Sequence, residues 1–131
     1  MIDSREKALA VARAAVDKKA HNVVIMDVKG LSDVSDYVIV CSLDSARGVK
    51  TIAEEIQKTL KELGEPLLGV EGFSEAKWVL IDSIDVIANI FYESTREFYD
   101  LEGFWIDAPR VELANGEGSE SQEDGLVEGT A

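Results

Sequence analysis

The sequence predicts a single α/β domain, built on one layer of mixed β-sheet with helices on one face of that sheet. Two observations support this fold class. Two long stretches repeat apolar residues at helical spacing, and several short apolar runs have the length of strands. Their order along the chain is helix, strand, strand, helix, strand, hairpin, short helix. The length of 131 residues fits one domain.

The N-terminal part is predicted to contain one helix and two strands. Residues 4–20 are expected to be helical, with Ser4 as the N-cap. Their apolar stripe consists of Ala8, Leu9, Ala12, Ala15 and Val16. Residues 22–28 and 36–42 are predicted strands. The second of these is continuously apolar, which is typical of a strand in the centre of a sheet.

Residues 45–63 give the strongest helical pattern in the chain. Either Asp44 or Ser45 is expected to cap this helix, and Gly64 followed by Pro66 ends it. The apolar positions at helical spacing are Val49, Ile52, Ala53, Ile56, Leu60 and Leu63. A short strand is predicted over residues 67–71.

The stretch 77–91 is predicted to form a β-hairpin that turns at Ser83-Ile84, with Asp82 opposite Asp85. Strand alternation then gives the hairpin two different faces. One face is purely apolar and carries Val79, Ile81, Val86, Ala88 and Ile90. The other face is mixed and carries Trp78, Leu80, Asp82, Asp85, Ile87, Asn89 and Phe91. We expect helices to cover the apolar face and the mixed face to stay open for a partner.

The C-terminal part is predicted to contain a short helix and then a tail. Residues 93–99 suggest one or two helical turns, in which Phe98 is expected to be a core residue and Arg96 to pair locally with Glu93 or Glu97. Residues 111–131 contain six acidic residues, four glycines and no Lys or Arg. This composition predicts a disordered acidic tail that follows a folded domain of residues 1–110.

Charge and composition narrow the functional classes. The formal net charge is −13, and residues 1–110 alone hold 13 basic and 20 acidic residues, a net of −7. Direct binding to nucleic-acid phosphates is therefore disfavoured, and a basic protein partner is favoured. One cysteine, Cys41, and one histidine, His21, exclude a disulfide framework and most zinc sites or nucleophile–base pairs. Cys41 is expected to be a buried thiol and His21 a boundary residue. We expect no cofactor.

The sequence also predicts where the protein is found. No apolar run approaches the ~18–20 residues that a membrane helix needs. The N-terminus has no apolar signal core. We therefore expect a cytoplasmic protein without a membrane partner.

Five blocks of sequence resemble the ribosomal silencing factor family, also called Iojap-like. They are DV-G at 27–30, S-DYVIVCS at 35–42, GVEG at 69–72, KWVLIDSIDVI at 77–87 and REFYDLEGFWIDAP at 96–109. The resemblance implies a nucleotidyltransferase-like fold without the catalytic motif. It also implies binding to the large ribosomal subunit through its ribosomal protein fourteen, a block on joining of the small subunit, and repression of translation.

The chain departs from the family pattern at three places. The family usually has Gly-Thr-Ser and a later Arg-His where this chain has Leu43-Asp44-Ser45 and Arg47-Gly48. Ile84 replaces a usual glycine at the hairpin turn, and Asn89 replaces a usual histidine. Because a β-branched residue resists positive φ, we expect a different or longer turn at Ile84.

Four apolar residues are the main candidates for partner contacts, namely Trp78, Tyr99, Leu101 and Trp105. Trp is enriched among interface hot spots, and the mixed face of the hairpin favours contact for Trp78. The alternative is that these side chains belong to the core. A homodimer, formed by pairing of sheet edges or by self-contact of the open face, also stays open.

Glu71, Asp82 and Asp85 are the acids expected to face a basic partner. Their alternative role is turn chemistry, since Asp is common at turns. A rival function is a metal-dependent nucleotidyltransferase-like enzyme that uses Asp82 and Asp85 as a carboxylate pair. The active enzymes have a Gly-Ser turn followed by two closely spaced acids on a strand. Here Ser42 is followed by Leu43, and Asp82 and Asp85 lie on either side of a predicted turn. We therefore expect no enzyme activity. An acidic adaptor without a ribosome link is the third alternative.

Overall fold

The computed structural model describes residues 2–113, which form an α/β domain. Its elements are α1 (Ser4–Asp17), β1 (His21–Asp27), β2 (Tyr37–Leu43), α2 (Ala46–Glu62), β3 (Gly69–Glu71), β4 (Trp78–Asp82), β5 (Val86–Tyr92), α3 (Glu93–Tyr99), α4 (Leu101–Phe104) and β6 (Arg110–Val111). No helix in this part of the chain is long and apolar enough to cross a membrane.

The six strands form one mixed sheet in the order β3-β4-β5-β2-β1-β6. The strands β2 and β5 pair in parallel, and the other neighbours pair antiparallel. The predicted central position of the second strand is confirmed, because β2 lies between β5 and β1 and six of its seven residues are buried. A strand covered on both faces has no solvent side, which is why its sequence is apolar without alternation.

The helices α1 and α2 cover one face of the sheet, as predicted. The predicted apolar face of the hairpin packs into this layer, and Val79, Ile81 and Ile90 are each at most 1% exposed. From α2 the buried residues are Val49, Ile52, Ala53, Ile56 and Leu60. Leu63, the last residue of the predicted stripe, is 38% exposed, because α2 has already ended at Glu62.

The ends of both long helices follow capping chemistry. Ser45 accepts a hydrogen bond from the Gly48 amide at 3.0 Å and caps α2, as one of the two predicted caps. The prediction of Ser4 as the cap of α1 is wrong. Asp3 lies outside the helix and accepts from the Glu6 amide at 2.8 Å. Helix α1 ends at Asp17, three residues earlier than predicted.

The hairpin turn lies one residue later than predicted. The Ser83 amide donates to the Val86 carbonyl at 2.9 Å, so the loop consists of Ile84 and Asp85. Asp82 is therefore opposite Ile87, and the predicted pairing with Asp85 is wrong. Ile84 sits at φ 70, and the Asp85 amide donates to the Ser83 carbonyl at 2.9 Å, the bond of a γ-turn.

The faces of the hairpin were nevertheless predicted correctly for the residues of its strands. The prediction is wrong for Asp85, which lies in the turn and binds Lys7 of α1 on the helix side instead of facing the mixed side. The predicted pairing and the observed pairing differ by two residues along β5, and side chains alternate with a period of two. A shift by an even number keeps each side chain on its face. Val79 therefore still lies beside an inward residue, now Ile90, and Trp78 beside Phe91.

The sequence predicted that the opposite face of the sheet stays open, and this prediction is wrong for the centre of the face. A second core cluster covers its centre, with Met26, Val28, Val38, Val40, Phe91 and Ala108 buried. Leu101 and Trp105 pack against this cluster from the segment that follows α3. The chain then returns to the sheet as β6, in which Val111 pairs with Ile25. The sequence did not predict β6, because two residues are too short to show a strand pattern.

The folded part of the chain continues beyond residue 110. Val111 and Leu113 both pack against the helix-side core. The predicted tail of residues 111–131 thus begins with residues that contact the domain. Residues 114–131, the larger part of that tail, lie outside the described residues.

Candidate partner-binding surface

Aromatic and apolar side chains gather on the face of the sheet opposite α1 and α2. We define the aromatic surface as Trp78, Phe98, Tyr99, Leu101, Phe104 and Trp105. Strand β4 supplies Trp78, and α3, α4 and the residue after α4 supply the others. All four residues that the sequence predicted as apolar partner contacts are therefore brought together by the fold.

Trp78 is the residue that joins this surface to the sheet. Its ring lies 4.9 Å from the Phe91 ring and 4.8 Å from the Tyr99 ring, measured between centroids. Its indole Nε1 donates to Asn89 Oδ1 at 3.0 Å, and the Asn89 amide donates in turn to the Ile39 carbonyl at 3.3 Å. The indole is half-buried, and these contacts fix its orientation.

The outer part of the aromatic surface is strongly exposed. Phe98 is 80% exposed, Phe104 74% and Tyr99 53%. The prediction that Phe98 belongs to the core is therefore wrong. Helix α3 has only seven residues and buries only Arg96, so Phe98 is left in solvent although its neighbour Tyr99 contacts Trp78 of β4. Exposed aromatic residues in a contiguous group are typical of a protein interaction site.

An open groove of about 520 Å³ borders this surface. It lies between the loop before β4 and helix α3, and Trp78, Phe98 and Tyr99 form its aromatic wall. Gly72 lines the groove at φ 80, where a Cβ atom would overlap the Trp78 carbonyl oxygen. Glycine is therefore required at this position for the loop to approach β4.

Arg96 lies beneath the surface and is 9% exposed. The predicted local pairing with Glu93 or Glu97 is wrong. The guanidinium instead pairs with Glu102, with Nε to Oε1 at 3.2 Å and Nη2 to Oε2 at 2.8 Å. Burial acts to raise the pKa of the Glu102 carboxyl group, but the hydrogen bonds and charge of Arg96 outweigh burial and lower it. Glu93 contacts His21, the first residue of β1.

The three predicted acidic contacts have different surroundings. Glu71 is exposed at the end of β3 and directly precedes Gly72, which lines the groove. The Asp82 carboxylate accepts from the Ile84 amide at 2.9 Å, which is the turn role considered for it. Asp85 faces the helix layer and binds Lys7 Nζ at 2.6 Å. Trp78 is the first residue of β4 and Asp82 is the last. With a rise of about 3.3 Å per residue along a strand, about 13 Å separates the two residues.

Sequence analysis missed the buried Lys7. Its ammonium group also contacts Glu65 at 2.8 Å and the Ser83 carbonyl at 2.9 Å, and the Lys7 side chain is 2% exposed. Burial acts to lower the pKa of Lys7, but the hydrogen bonds that its ammonium group donates to Asp85 and Glu65, together with their negative charges, outweigh burial and raise it. The sequence does contain a signal for this burial. Lys7 precedes Ala8 and lies four residues before Val11, which places it on the same side of α1 as these two buried residues.

The surroundings of Asp82 and Asp85 bear on the alternative function, a metal-dependent nucleotidyltransferase-like enzyme. Asp82 serves the turn, and Asp85 already binds the Lys7 cation, so the two carboxylates do not face a common site. Within residues 2–113 no group of three or more His, Cys, Asp or Glu residues is placed to hold a metal ion. The carboxylate pair on which the enzyme alternative depends is therefore not formed.

Cys41 is buried, as predicted, and burial raises the pKa of its thiol to about 12 although Arg96 acts to lower it.

The fold and this surface define an acidic α/β domain with an exposed aromatic surface. The family model described as "Ribosomal silencing factor during starvation" matches residues 1–128. A protein named ribosomal silencing factor from Halalkalibacterium halodurans is 41% identical over 84% of this chain and 95% of its own length. One of the same name from Bacillus subtilis is 39% identical over 84% and 94%.

A solved structure agrees with these sequence matches. The crystal structure of the protein CV0518 from Chromobacterium violaceum has a TM-score of 0.79 and 30% identity, covering 88% of this chain and 95% of that one. The chain belongs to the ribosomal silencing factor family. The resemblance on which the sequence-based prediction rested is thereby confirmed, and the family's name describes a regulatory factor.

Proposed function

We propose that this protein binds the large ribosomal subunit, blocks joining of the small subunit and so represses translation in the cytoplasm. Membership of the ribosomal silencing factor family supports the link to ribosome silencing. Large-subunit ribosomal protein fourteen is the proposed direct partner, as the resemblance implies. The aromatic surface is the proposed contact site, and its exposure is the observation that carries this assignment.

The chemistry of the surface fits a basic protein partner. Residues 93–107 contain five acids (Glu93, Glu97, Asp100, Glu102 and Asp107) and one basic residue, Arg96, which Glu102 already neutralises. Exposed aromatic rings therefore lie within a negative field. Such a field speeds the encounter with a positively charged partner and disfavours phosphate groups.

The aromatic rings supply the affinity in this proposal. Interface hot spots are enriched in Trp and Tyr, and truncating one can cost about 2 kcal/mol or more, which is over tenfold in affinity. Trp78, Tyr99, Leu101 and Trp105 are the contacts proposed from the sequence. We propose Phe98 and Phe104 as further contacts, because they are the most exposed members of the aromatic surface. Of the proposed acidic contacts, Glu71 lies nearest to the groove, whereas Asp85 would first have to leave Lys7.

The functional experiment measures subunit joining. Purified small and large subunits are mixed with and without the protein, and light scattering reports the yield of joined ribosomes. We expect the protein to lower this yield and to sediment with free large subunits on a sucrose gradient. Unchanged joining at saturating protein would reject the proposal.

Phe98→Glu tests the contact site with a matched control. Because Phe98 is 80% exposed, the charge should change stability by less than about 0.5 kcal/mol. We expect at least about tenfold weaker binding to large subunits and to isolated ribosomal protein fourteen. Leu68→Glu is the control, since Leu68 is 69% exposed but precedes β3, near the hairpin turn. Equal binding of both variants would place the contact elsewhere.

A further inference from the structure

The segment that carries most of the aromatic surface has little apolar anchorage of its own. Helix α3 buries only Arg96, and no residue of α4 is buried. The two helices meet at Asp100, which has φ 47, so the chain bends sharply between Tyr99 and Leu101. Half-buried Leu101 and Trp105 pack against the sheet, but the other aromatic residues project outward.

Arg96 connects this segment to two strands and across the bend. Nη1 donates to the His21 carbonyl at 3.2 Å and to Ser42 Oγ at 3.0 Å. Nη2 donates to the Asn22 carbonyl at 2.8 Å and to Glu102, to which Nε also donates. These five bonds use all five N–H groups of the guanidinium. The start of β1, the end of β2 and helix α4 therefore share one side chain.

The strand β1 is shaped to receive this guanidinium. Its pairing with β2 is shifted between His21 and Val24, as in a β-bulge, and Asn22 sits there at φ 50. A bulge leaves one residue outside the ladder, and the Asn22 carbonyl oxygen accepts from Arg96. An irregular backbone at the end of an otherwise regular strand is explained by this contact.

We propose that Arg96 is the positioning residue of the aromatic surface, holding α3 and α4 so that Trp78, Tyr99 and Trp105 face a partner together. This inference rests on the proposed function and adds a residue that acts without contacting the partner. The planar guanidinium satisfies two carbonyls, a hydroxyl and a carboxylate at once. Lysine has three donors on one point charge and does not reproduce this geometry.

The test uses the full chain and two readouts. The chain has two tryptophans, Trp78 and Trp105, and both belong to the aromatic surface. Intrinsic fluorescence therefore reports the surface alone, while co-sedimentation with purified large subunits reports binding. For Arg96→Met and Arg96→Lys we expect retained far-UV circular dichroism, red-shifted emission and at least about tenfold weaker binding. Arg47→Met, an exposed position on α2, is the control and should match the parent.

Several outcomes would overturn the inference. If Arg96→Lys binds and fluoresces as the parent does, one positive charge suffices and the five-bond geometry is irrelevant. If binding falls while the emission stays unchanged, Arg96 acts by direct contact. If Arg96→Met does not fold, Glu102→Gln provides the test, because it weakens only the bond across the bend. A Glu102→Gln variant with the emission and the binding of the parent would overturn the positioning role of Arg96. If the parent itself does not bind large subunits, the proposed function fails, and the fluorescence arm still tests Arg96.

Discussion

Lys7→Met is expected to destabilise the domain, because it removes a buried cation from between two carboxylates. Methionine keeps most of the length and apolar character of the lysine stem, so the substitution removes charge and hydrogen bonds rather than volume. The Glu65 side chain is 4% exposed and would lose its cationic partner, whereas Asp85 at 37% exposed can turn to water. Glu65 therefore accounts for most of the expected loss.

The expected magnitude follows from that difference. Removing one partner of a buried ion pair costs about 3–5 kcal/mol. Since Asp85 is solvated, we expect about 3 kcal/mol, which is about 12 °C in Tm for a domain of this size. A typical domain stability of about 5–15 kcal/mol leaves the variant folded at room temperature. Thermal and urea unfolding followed by circular dichroism measure the loss.

Two further variants separate this mechanism from a packing defect. Lys58→Met is the matched control on the exposed side of α2 and should change stability by less than about 0.5 kcal/mol. In the double variant Lys7→Met/Glu65→Gln the unpaired charge is gone, so we expect recovery of at least about 1 kcal/mol. A Lys7→Met protein as stable as its parent, or no recovery in the double variant, would refute the reasoning.

Three other predictions concern the turn, acid pH and the C-terminus. Ile84→Gly should raise stability by about 0.5 kcal/mol in urea unfolding, because the strain of φ 70 exceeds the entropic cost of glycine; a loss would show that Ile84 is not strained. Since folding lowers the pKa of Glu102, this residue contributes fully to the stability of the fold above its ordinary pKa of 4.5. The contribution is lost as the pH falls through the lowered pKa. Tryptophan emission should therefore shift below about pH 4.5 in the parent, and an identical titration of Glu102→Gln would contradict this. Deleting residues 114–131 should leave Tm unchanged, because their composition is too polar to build a core, whereas deleting residues 110–131 should lower it by removing β6.

Much of the fold was predictable because local chemistry and burial agree. The continuous apolar run of β2, the helical spacing in α2 and the alternation in β4 each have one solution that buries the apolar side chains. Even a wrong turn at Ser83-Ile84 did not disturb the faces of the two strands, since the true register differs by two residues, and only Asp85 in the turn changed sides. Trp78 was placed on the correct face for the same reason.

The aromatic surface was predictable only in part. The sequence identified Trp78, Tyr99, Leu101 and Trp105 as a group, but the role of Phe98 depended on how many residues of α3 are covered. An aromatic residue in a short helix has no periodic pattern long enough to show which side is buried. The folded structure decided this, because α3 buries only Arg96 and leaves Phe98 in solvent.

The sequence by itself determined the order of the elements, the central position of β2, the two faces of the hairpin strands, the acidic character and the family. Tertiary structure alone decided the partners of charged residues. Lys7 meets Ser83 and Asp85, 76 and 78 residues away, and Arg96 meets Ser42, 54 residues away. Burial of an apolar residue is governed by a pattern repeated every two to four positions, which the sequence displays. The contacts of a buried charge depend on which distant chain segments converge around it, and no local pattern encodes that convergence.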